Sequence, residues 1–211
     1  MGDECPDLTH SQLRTRIEGI VEFEEVLFAG LGALVADARD LRAEVSVELA
    51  VLARHHGWQA DLLGGLVAEP QPMPRPDGGS SDRWTVASAD ERRLLTGAFE
   101  SVGRAGPGGA GALLLMQRCV IPRLMSLVAR TREAISALAD APARRMLQIV
   151  HDDLARDLAR LDRVVADLGI GSSTAVQDEL DPWRAPLELV TSLEAALLDI
   201  GGLLSGPFES S

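Results

Sequence analysis

Apolar residues recur three and four positions apart along nearly the whole of this 211-residue chain, and no β-branched run alternates cleanly enough to form a strand. A chain patterned this way buries its apolar side chains as stripes on helices, so the expected fold is all-α. Ile17, Ile20, Phe28, Leu31 and Val35 mark a first helix over 10–36, opened by the capping box Thr9-His10-Ser11-Gln12. Leu41, Val45, Leu49, Leu52, Leu62, Leu63 and Leu66 mark a second over 40–67. The turn between them is so short that the two helices must form an antiparallel hairpin.

The segment 69–87 interrupts the pattern. Pro70, Pro72, Pro74 and Pro76 stand at alternate positions, followed by Gly78-Gly79-Ser80-Ser81. Alternating prolines favour polyproline geometry at about 3.1 Å per residue, enough to travel the length of a bundle, so an extended crossover is expected. Beyond it, a second capping box, Ser88-Ala89-Asp90-Glu91, opens a helix over 88–102, and a glycine-rich turn, 103–111, follows. A helix over 112–139 carries Pro122, which should bend it. Asp140-Ala141-Pro142 opens a helix over 141–168, and Asp181-Pro182 opens a last one over 182–204. The whole reads as a single helical domain, 1–211.

Composition closes several mechanisms. The chain has no Lys, Asn or Tyr, a bias that fits GC-rich coding, so Schiff-base lysines, a P-loop lysine and tyrosine acids lack their residue. With 20 basic against 32 acidic residues the formal charge is −12, which disfavours nucleic acid as a partner. The opening residues show no signal-peptide pattern, and the longest uncharged apolar stretch, 108–116, is too short to cross a bilayer; a cytoplasmic protein without membrane contact is expected. Cys5 and Cys119 are too few for a disulfide framework.

Helical projection singles out a small polar set. Glu18, Glu22 and Glu25 share a solvated side of the first helix, whereas Glu24 falls inside the apolar arc, where an unpaired carboxylate is costly and needs a partner. On the second helix Glu48, His55, His56 and Gln59 fall on the apolar side, and Arg54 and Asp61 point outward. Which of His55 and His56 faces the interior stays open. Asp157 lies on the flank of the 141–168 stripe, while the neighbours in His151-Asp152-Asp153 point in different directions.

Leu52-Ala53-Arg54-His55-His56-Gly57-Trp58-Gln59-Ala60-Asp61-Leu62-Leu63, coming after so short a turn, resembles the second helix of ferritin-like proteins from high-GC bacteria. Ile121-Pro122-Arg123-Leu124, and Asp140-Ala141-Pro142 through Asp153, resemble the same superfamily, and together the likeness spans most of residues 12–168. It implies a four-helix bundle with a long crossover between its second and third helices. Active members hold two irons with a Glu from each of two helices and Glu-x-x-His from each of the other two. Here no Glu-x-x-His occurs, and the helix from Ala112 carries no acid before Glu133, so a conventional di-iron site is not expected and the ligand motifs read as degenerate.

The leading expectation is a ferritin-like protein that uses no cofactor and binds a small molecule in its interior, with Glu24, Gln59 and Asp157 as binding groups. His55, His56 and Glu48 are the candidates for metal-independent acid–base chemistry, a role compatible with specialised metabolism. Two alternatives stand beside it. One is a non-enzymatic module that docks a protein partner or a second copy through the last helix. The other is a metal-dependent oxidase with one divalent ion on Glu24, Glu48 and His55 or His56.

Overall fold

The computed structural model describes residues 8–37, 41–67, 89–103, 109–169 and 184–199, and among them there is no strand. The expected crossover 69–87, the capping box at Ser88 and the start signal Asp181-Pro182 lie outside the described residues. The described residues form seven α-helices in order: α1 (His10–Asp37), α2 (Ala43–Val67), α3 (Ala89–Gly103), α4 (Ala110–Leu115), α5 (Ile121–Glu133), α6 (Ala141–Asp167) and α7 (Arg184–Asp199). A π-helical turn, Met116–Val120, joins α4 to α5.

Two hairpins carry the fold. α1 packs along α2 and α5 packs along α6, each pair joined by a short connection and therefore antiparallel. At the head of α1 the capping box forms as the sequence predicts. The Thr9 N–H donates to Gln12 Oε1 at 2.9 Å and the Gln12 N–H to Thr9 Oγ1 at 3.3 Å. One residue earlier, the Leu8 N–H donates to Ala134 O at 2.8 Å, tying the start of α1 to the end of α5.

Pro122 leaves the chain helical. Its missing N–H cannot serve the carbonyl one turn back, and the disturbance is absorbed immediately upstream by the wider turn, in which the Ile121 N–H reaches back to Met116 O. The helix stops at Glu133, short of the expected 139, because Ile135 turns back into the core while Leu138 stands exposed. Ser136 Oγ then accepts from the Ala139 N–H, building a local turn that competes with helix. Asp140 is the N-cap of α6 as expected, with Pro142 in the first turn, although its side chain makes no capping bond.

The glycine-rich turn has a geometric reason at Gly109. It adopts φ +76°, a left-handed conformation, and a Cβ there would stand 1.8 Å from Leu41 Cδ2. Taken together, Ala110–Glu133 is long and apolar enough to cross a membrane by length and composition, a test the shorter stretch 108–116 does not meet. More than half of that window is buried against other helices, as in a core helix. Its interior is dry: Leu113, Leu114, Leu115, Met116, Ile121 and Leu124 are fully buried. α7 lies on α3 and α4 and adds Val190 and Leu193 to the core.

Candidate functional site

The polar residues singled out by projection come together between α1, α2 and α6. Glu24 on α1, His56 and Gln59 on α2 are wholly buried, and Glu48 and Asp157 nearly so. On α2 the helical repeat explains the arrangement, because Glu48, His56 and Gln59 fall on the same inward side as Leu49, Leu52 and Leu63. The two adjacent histidines are separated by one step of the helix. His56 faces the interior, and His55 sits at the rim with 34% of its side chain exposed.

Three pairs organise these groups. Glu24 Oε2 and His56 Nδ1 are joined by a short hydrogen bond of 2.5 Å, inaccessible to solvent on both sides. Burial pushes the Glu24 carboxyl above its ordinary range; the His56 imidazole opposes that shift and the Asp157 charge adds to it. His55 Nδ1 lies 2.9 Å from both carboxylate oxygens of Asp157, tying the rim of α2 to α6. One turn further along α6, the Arg160 guanidinium takes Glu48 in a two-pronged pair, Nε to Oε1 at 2.5 Å and the second nitrogen to Oε2. That bonding raises the Arg160 pKa and holds it charged.

Arg160 was not among the candidates read from the sequence. It occupies the i+3 position from Asp157, and the facing residues on α2, Glu48 and His55, are also on one side and two turns apart. Opposite charges on one side of each of two helices were the available signal.

Of the six buried side-chain atoms without a partner among the described residues, four belong to three side chains of α1 and α2: Glu24 Oε1, His56 Nε2 and both amide atoms of Gln59; the others are Gln117 Oε1 and His151 Nδ1. Gln59 stands one helical turn from His56, so their Cβ atoms are about 5–6 Å apart. The four atoms therefore share one part of the interior. An unmatched buried polar group costs about 1–3 kcal/mol, and this concentration of them is unusual for a folded core.

Among the described residues no group of three or more His, Cys, Asp or Glu is placed to hold a metal ion. The four side chains considered as ligands are divided among three pairs, Glu24 with His56, Glu48 with Arg160, and His55 with Asp157. In the His151-Asp152-Asp153 run, His151 Nδ1 is 3.6 Å from Asp152 Oδ1, too long for a hydrogen bond, and Asp153 pairs instead with Arg156 at 2.7 Å. Cys119 is buried in the π turn with its thiol pushed up to about 11 by burial, which makes it unreactive.

Comparison with family models, curated proteins and solved structures finds no match to this chain. The candidate site accordingly rests on its own residues and geometry.

Proposed function

We propose that this all-α protein binds a small polar molecule between α1, α2 and α6, with Glu24, His56 and Gln59 as the recognising groups. The observation that carries the reading is the set of four unpartnered, fully buried polar atoms on these three side chains. A sequence free to replace Gln59 by Leu would remove that cost, so an occupant that satisfies the amide explains why it stands there. The ferritin-like bundle belongs to the same proposal. It is supported by two antiparallel hairpins and by acidic side chains turned inward from α1, α2 and α6.

Thermal unfolding against a panel of small polar metabolites tests the binding. A ligand at a hundred times its Kd adds about 2.7 kcal/mol, a rise of several degrees in Tm. At least one compound is expected to produce that rise in the wild type and to lose it in Gln59→Leu and His56→Phe, with helical circular dichroism retained. Equal shifts in wild type and both variants would sink the proposal.

Acid–base chemistry on the bound molecule is a second reading, favoured by His55. Its Nδ1 is occupied by a buried carboxylate, which fixes the ring and leaves Nε2 toward the exposed rim. In the same experiment, a ligand that still binds His55→Gln but is no longer converted assigns the proton transfer to this imidazole; conversion at the wild-type rate removes it.

A further inference from the structure

The Glu24–His56 pair fixes which way its free atoms can hydrogen-bond. If the shared proton sits on Glu24 Oε2, His56 is neutral with Nδ1 as acceptor, and its one remaining proton is on Nε2. If the proton sits on Nδ1 of an imidazolium, Nε2 is again protonated. In both states Nε2 donates and Glu24 Oε1 accepts. Only loss of the Nε2 proton, with the shared proton kept on Nδ1, turns Nε2 into an acceptor, and that leaves a net negative charge with no solvent access, with Asp157 close enough to add its own repulsion.

The neighbouring Gln59 amide offers two N–H donors and an acceptor oxygen, all unmatched within the protein. An occupant must therefore present an acceptor to His56 Nε2, a donor to Glu24 Oε1, and both kinds of group to Gln59. An anion brings only acceptors and meets the Glu24 oxygen. An organic cation brings only donors and meets the His56 N–H. A metal ion needs a lone pair that a protonated Nε2 does not have.

Building on the binding site proposed above, we infer that it takes an uncharged molecule whose N–H donors and C=O acceptor lie side by side, a primary carboxamide. The two edges of such a group match the side-by-side donor and acceptor of Gln59, leaving its remaining lone pair and hydrogen for the Glu24–His56 pair.

Nitrogen NMR of the full-length protein labelled at histidine tests the first half, with the His56→Phe variant assigning the signal. A protonated Nε2 on His56 at neutral pH is expected. A bare Nε2 beside a protonated Nδ1 overturns the inference whatever the site binds. Titration with acetamide, 2-pyrrolidinone, acetate, methylammonium and zinc, followed at the Gln59 side-chain amide, tests the second half. Acetamide is expected to give a saturable shift, with a weaker response from the lactam, which lacks the second N–H, and at least tenfold weaker response from the three charged probes. Saturation by a charged probe in preference to the amides overturns the ligand class and leaves the interior site standing. No saturable shift from any probe overturns the ligand class, and it overturns the site as well if the panel of polar metabolites also leaves the Tm of the wild type unchanged.

Discussion

The interior differs sharply between its two halves. Around α4, the π turn and α5 it is built from Leu113, Leu114, Leu115, Met116, Ile121 and Leu124. Between α1, α2 and α6 the same depth holds two carboxyl groups, a histidine, a glutamine and, just inside the rim, another glutamate clasped by an arginine. The first half stabilises by removing apolar surface from water, at roughly 25 cal/mol per Å². The second includes groups whose burial costs free energy unless each is matched. A chain that already packs one half dry has no structural need for the polar half, and that contrast is the physical argument for placing function there.

The largest effect is expected in the dry half. Leu114→Ala removes side-chain volume from a site with no exposure, where neighbouring helices cannot collapse fully, and should lower unfolding free energy by about 2–5 kcal/mol in a urea titration. Gln59→Leu, in the other half, should cost far less. Equal losses at the two positions would erase the distinction between them.

A smaller effect is expected at the clasp. Arg160→Met leaves Glu48 mostly buried without its partner, for a loss of about 1–3 kcal/mol, reduced because a third of the Arg160 side chain is exposed. Combining it with Glu48→Leu should recover most of that loss, since the cost lies in the stranded charge and not in the missing pair. A double variant as unstable as the sum of its single changes would show that the pair itself stabilises the hairpin contact.

Much of this contrast was legible in the residues. The 3.6-residue period placed Glu24, Glu48, His56 and Gln59 on buried faces, and spacing alone identified the helices and the α1–α2 hairpin. Pairing was not legible. Which of two adjacent histidines faces inward turns on a single 100° step, and the rotation of α2 is set by its packing on α1. The clasp between Glu48 and Arg160 depends on the register of α6 against α2, residues 112 apart in sequence, which no local pattern encodes. The early end of α5 depends likewise on Ile135 finding the core, a tertiary contact that overrides the good helix formers of 136–139.

The smallest effect probes the protonation of the polar half. A carboxyl raised above its unfolded value holds a proton in the folded chain that it releases on unfolding. Its contribution is therefore fully present below the ordinary carboxyl value of 4.5 and is lost as pH rises through the folded value. The slope cannot exceed about 1.4 kcal/mol per pH unit, the linkage for one proton. Glu24→Gln keeps the shape and an acceptor beside His56 but has nothing to titrate. The stability difference, wild type minus variant, should accordingly shrink as pH rises above 4.5, with His56 and Asp157, the groups facing Glu24, present in both proteins. Urea titrations of the two proteins at a series of pH values measure it. A difference that grows with pH would mean that Glu24 is held as a carboxylate. The two halves of the interior would then differ by buried charge as well as by polarity.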